Sequence, residues 1–145
     1  GHRPDQRLSD GHPEHRQRHR SPGGLFAELC ALAGPGFGVA QGAERQLASG
    51  LRAGAAGTVP GVGMIAPALC VELVARAAAG DHDGAAALQE RVDALTRIFS
   101  VRSGASGIVV MKSALHLLGL CPPHAAAPFE PLTPQELAAL RALLP

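Results

Sequence analysis

Few side chains in this sequence have the chemistry of a nucleophile, a general base or a metal ligand. Lys112 is the single lysine beside twelve arginines, so a reaction that needs a free amine has one candidate here. Cys30, Cys70 and Cys121 are odd in number, widely spaced and without a CxxC pair. They signal neither a disulfide framework nor a zinc site, and they suit a reducing cytoplasm. His12, His15 and His19 share helical spacing in "HPEHRQRH", which is ligand chemistry, but Pro13 interrupts that helix and a solvated tail is the preferred reading. The run "AGAAGTVPGVGMIAP", Ala53 to Pro67, carries glycines that either let a ligand approach the backbone closely or only turn the chain.

Those residues must be positioned by a scaffold, and 145 residues suffice for one ordinary core. The composition is 46% hydrophobic and 17% charged, without Trp or Tyr, which suits a helix-rich fold. A formal charge of +1 gives no field to draw nucleic acid or an anionic membrane, so neither partner is expected. The chain has no 18-residue apolar run, and its first residues lack the pattern of a secretion signal.

Residues 1–24 hold four His, five Arg and three Pro with a single aliphatic residue, Leu8, and read as a disordered tail. From Leu25, helical spacing of Leu25, Leu29 and Leu32 precedes a stop at Gly34-Pro35-Gly36. Phe37 to Ala40 reads as a buried strand and "AERQLASGLRAG" as the helix after it, ending at Gly54. Gly57 to Pro60 repeats the strand, and Pro67 starts the helix "PALCVELVARAAAG". Asp81 or Asp83 caps the next helix, in which Leu88, Val92, Leu95 and Phe99 face a partner. A helix around Ile108 to Leu118 follows. Thr133-Pro134-Gln135-Glu136 then makes a capping box for a last helix with Leu137, Leu140, Leu143 and Leu144 on its apolar face. Two parallel strands buried on both faces need neighbours, so the chain reads as a piece of a larger βα-repeat followed by helices.

The segments "ALAGPGFGVAQG", "LASGLRAGAAGTVPGVGMIAP", "AAAGDHDGAAALQERV", "VMKSALHLLGL" and "PFEPLTPQELAALRALL" stand in one order and spacing. In that arrangement the sequence from about Leu25 to Pro145 resembles the C-terminal part of the dihydrodipicolinate synthase / N-acetylneuraminate lyase family of class I aldolases. The resemblance implies an α/β fold: the last two βα units of a (β/α)8 TIM barrel over residues 25–80, and a C-terminal helical region over 81–145, mostly helical as an isolated chain. Phe37 to Ala40 would be strand seven and Gly57 to Pro60 strand eight. Gln41-Gly42 and Val59-Pro60-Gly61 would then face the substrate pocket at the C-terminal ends of the strands.

The family's lysine forms a Schiff base with pyruvate or a 2-keto acid. It sits in a "KDSSGD"-like motif some twenty residues before Phe37, near Gln17 here, where no lysine occurs. Lys112 matches instead the lysine of a "VKxAL" helix after the barrel and reads as a surface or helix-packing residue. The relay tyrosine and the "GTTGE"-like segment are absent too, and a whole barrel takes about 250 residues. A tail so rich in Arg, His, Pro and Gly is also what out-of-frame translation of a GC-rich gene yields.

By the same resemblance Gly42, Glu44, Val59 and Gly61 are the substrate-pocket residues, with no metal and no cofactor. Glu44 falls in the acidic pair of the sugar-acid lyases, or else serves only the first turn of its helix. Arg45 departs from that pair, and Gly61 stands where sialic-acid lyases place a serine. Both departures argue against N-acetylneuraminate. The expected protein is therefore a truncated carbon–carbon lyase, inactive alone and homo-oligomeric when complete. The alternatives are a non-catalytic helical interaction module, and last a histidine-mediated metal binder.

Overall fold

The computed structural model describes residues 22–102 and 107–145, so the histidine-rich tail, and with it His12, His15 and His19, lies outside the described residues. Helix α1 spans Pro22–Leu32, strand β1 Ala40–Gln41, helix α2 Leu47–Arg52 and strand β2 Gly57–Thr58. Four further helices follow: α3 (Pro67–Ala78), α4 (His82–Leu95), α5 (Gly107–Leu117) and α6 (Pro134–Leu143). Short 3-10 turns at Glu44–Gln46, Gly61–Met64 and Thr96–Ser100 link them.

The strands pair in parallel, Ala40 opposite Gly57 and Gln41 opposite Thr58. The pairing is shorter than the apolar runs that announce it. The expected strand from Phe37 to Ala40 is displaced to Ala40–Gln41, and the one from Gly57 to Pro60 stops at Thr58. Phe37 and Val59 are both 72% exposed, and among the described residues no further strand covers them. Helix α1 begins three residues before the expected Leu25, and its Leu25, Leu29 and Leu32 are exposed rather than buried.

Two helices show why the chain turns where it does. At the end of α2, the Ala55 N–H donates to the Gly50 carbonyl and the Gly54 N–H to that of Leu51. At the end of α3, the Asp81 N–H donates to Arg76 and the Gly80 N–H to Ala77. This double closure needs a left-handed residue, which Gly54 (φ 101°) and Gly80 (φ 78°) supply. Of the two candidate caps for α4, Asp81 is the one used: its Oδ1 accepts from the Gly84 N–H at 2.9 Å.

Two cores result. The first gathers Leu47, Val62, Leu69, Cys70, Leu73, Leu88 and Val92 from α2, α3, α4 and the turn after β2. Ile98, Val109, Val110, Met111, Ala114, Leu132 and Leu140 form the second, around α5 and α6. Phe99 packs against both and joins them.

Helix α6 is tied down by charge as well as by Leu140. Arg102 donates from Nε to Glu136 Oε1 at 2.7 Å and from Nη2 to Oε2 at 2.5 Å, while Nη1 donates to the Glu130 carbonyl and Nη2 also to that of Pro131. Glu136 also closes the expected capping box with Thr133. The Arg102 guanidinium first, and the Thr133 backbone N–H second, hold the Glu136 carboxyl down from 4.5 to about 2. A depressed carboxyl contributes stability that is complete above its ordinary value and is lost as pH falls toward the folded one. Thermal unfolding between pH 4.5 and pH 2 is therefore expected to fall more steeply for the wild-type chain than for Glu136→Gln. Equal slopes would contradict the assignment.

Candidate functional site

In a parallel pair both strands end on the same side, so the residues leaving β1 and β2 emerge together. The Val59 N–H donates to the Gln41 carbonyl at 2.9 Å, which keeps the two exits in step. A methyl placed on Gly42 would stand 3.9 Å from the Val59 carbonyl oxygen. Two residues further along each exit, Glu44 Oε1 accepts the Gly61 N–H at 2.9 Å. Gly42 and Glu44 from one exit, and Val59 and Gly61 from the other, 17 residues on, thus gather at one end of the sheet.

Gln41, expected to face the same pocket, turns the other way. Its side chain is 5% exposed, and its Oε1 accepts the Ala43 N–H at 2.9 Å. The amide lies against α2, where a Cβ on Gly50 would come within 2.8 Å of Gln41 Cγ. Alternation explains the difference, since Ala40 and Gln41 project to opposite faces and, among the described residues, Gln41 is buried while Ala40 is exposed.

A concavity of about 480 Å³ opens beside the Glu44–Gly61 contact, lined otherwise by Met64, Phe99, Gly107, Ile108 and Met111. Its walls are largely apolar, and Glu44 is the one ionisable residue that lines it among the described residues. A methyl on Gly61 would stand 3.0 Å from Glu44 Oε1 and 3.6 Å from Met111 Cε, so glycine there permits the close passage of α5 and the carboxylate. Gly107, Ile108 and Met111 are the residues of α5 that reach this space. Lys112, half-buried between them and the next turn, does not line it.

Cys70, the thiol nearest Glu44 in the first core, is not poised as a nucleophile. Burial pushes the Cys70 thiol up from its ordinary range, and the negative charge of Glu44 adds to that shift. Cys30, Cys70 and Cys121 are all free thiols. Among the described residues no cluster of His, Cys, Asp and Glu could hold a metal ion, and no helix is long and apolar enough to cross a membrane.

Sequence reading missed Gln89 of α4. Its Nε2 donates to the Glu44 carbonyl at 2.8 Å and its Oε1 accepts the Ala48 N–H at 3.0 Å. The one local signal is an i,i+4 pairing with Asp93, at 2.8 Å, which on a helix reads as an ordinary surface pair.

Residues 24–145 match the Dihydrodipicolinate synthetase family. No curated protein matches the chain. Among solved structures it is similar to dihydrodipicolinate synthase from Bacteroides thetaiotaomicron, with 32% identity and a TM-score of 0.71 over 75% of this chain and 37% of that one. It is also similar to YagE, a prophage protein of the dihydrodipicolinic acid synthase family from E. coli K12 in complex with pyruvate, with 26% identity and a TM-score of 0.66 over 75% and 36% of the two chains. Dihydrodipicolinate synthase from Aquifex aeolicus shares the fold, with 22% identity and a TM-score of 0.73 over 85% and 41%. The chain thus spans about two fifths of the length of these relatives, a partial barrel. The thiol assignment predicts that alkylation of the native chain modifies Cys30 and Cys121 before Cys70, as read by peptide mass spectrometry. Early modification of Cys70 would contradict it.

Proposed function

The chain belongs to the dihydrodipicolinate synthetase family, and on that premise we propose that it serves a carbon–carbon lyase or aldolase acting on pyruvate or a 2-keto acid through a lysine Schiff base. In this reading residues 25–80 are the last two βα units of the barrel and residues 81–145 its helical C-terminal region. Their contribution is the rim of the substrate pocket: Gly42 and Gly61 allow close backbone approach, Val59 presents its carbonyl, and Glu44 fixes the loop after β2. The observation that carries the reading is the convergence of those four residues at the C-terminal ends of the paired strands, where such barrels do their chemistry.

A Schiff base requires an amine that attacks the keto carbon, loses water and leaves an iminium able to take up the electron pair of the breaking bond. Lys112 is assigned no part in that step. It lies on α5 between the buried Met111 and Ser113 and does not line the concavity beside Glu44. The nucleophile therefore belongs to a part of the catalytic unit other than the residues described. An acidic pocket for a sugar acid is not supported either, since Arg45 follows Glu44 and glycine stands at position 61.

Borohydride reduction in the presence of pyruvate, followed by peptide mass spectrometry, tests the assignment. Lys112 is expected to stay unmodified in the wild-type chain. An adduct at Lys112 that disappears in Lys112→Ala would show that the single lysine is the nucleophile and overturn the division of roles proposed here.

A further inference from the structure

The rim at the strand ends is held from outside the βα units. Glu44 sits in a single 3-10 turn, a short element with little stability of its own, and its carboxylate receives the Gly61 N–H. The turn is in turn gripped by Gln89 of α4, which donates to the Glu44 carbonyl and accepts from the Ala48 N–H at the start of α2. A side-chain amide that donates with one end and accepts with the other fixes both position and rotation of the segment it spans. Asp93, one turn further along α4, accepts the second Nε2 hydrogen and holds the amide in that orientation.

We infer that Gln89 is a positioning residue for the pocket rim: it sets the Glu44 carboxylate and, through it, the Gly61 amide. A helix of the C-terminal region thereby fixes the geometry of loops that lead out of the strands, over separations of 45 residues to Glu44 and 17 more to Gly61. Each link is a half-buried hydrogen bond, where losing one partner leaves the other unsatisfied. The importance of this chain of contacts for catalysis rests on the pocket reading above, whereas its existence does not.

Amide hydrogen exchange at Gly61 in the full chain tests it. Gln89→Leu and Gln89→Glu are the informative variants, the second because it keeps side-chain length and solubility while replacing the donor to Glu44 by an oxygen. Both are expected to raise Gly61 exchange about tenfold while leaving the amides of Leu73 and Val92 at wild-type rates. Glu44→Ala is expected to do the same, and Glu44→Gln, whose amide oxygen still accepts, to restore protection. Wild-type exchange at Gly61 in the Gln89 variants would overturn the inference, as would an equal rise at Gly61, Leu73 and Val92, which would make Gln89 a general support of the fold. Pyruvate trapping reads the proposed chemistry separately, so failure of one is distinguishable from failure of the other.

Discussion

The parallel pairing of β1 with β2 is the constraint on which the rest of this structure depends. The ladder pairs Ala40 with Gly57 and Gln41 with Thr58, and it is flanked by the Ala56 N–H on the Val39 carbonyl, at 2.8 Å, and the Val59 N–H on the Gln41 carbonyl, at 2.9 Å. Because the strands run the same way, it brings residues 42–44 and 59–61 to one edge. An antiparallel pair would have separated them to opposite ends. Two strands alone are marginal, and here α2 packs against both of them.

That support comes from two cores of different origin. The first packs α2, α3 and α4 against one another, with Leu73 and Val92 fully buried in it. The second packs α5 and α6 around Leu140 and is locked by Arg102, whose guanidinium reaches Glu136 and two carbonyls at once. Phe99 shares both. The concavity beside Glu44 lies where the turn after β2 meets α5, so its shape depends on each core and on the alignment between them.

Local chemistry made much of this legible in advance. Gly54 and Gly80 mark helix ends because left-handed closure is cheapest for glycine, and Thr133 with Glu136 marks a helix start because the two side chains satisfy each other's backbone donors. The strand limits were less legible, since an apolar run such as Phe37 to Ala40 reports burial on a pattern of neighbours, while pairing depends on which backbone groups meet. The site was legible only through family resemblance: Gly42, Glu44, Val59 and Gly61 have no spacing that marks them as companions. Gln89 and Arg102 escaped altogether, because polar residues on amphipathic helices look alike until the fold supplies partners dozens of residues away.

Hydrogen exchange at Ala56 and Val59, whose amides donate across to Val39 and Gln41 on either side of the paired residues, tests the central claim most directly. Protection of both, lost together with the amides of α3 as denaturant is added, is the predicted result, since the strands and the first core form one unit. Exchange of Ala56 and Val59 at unprotected rates while α3 and α4 remain protected would contradict it, for the strand ends would then have nothing to hold Gly42, Glu44, Val59 and Gly61 together.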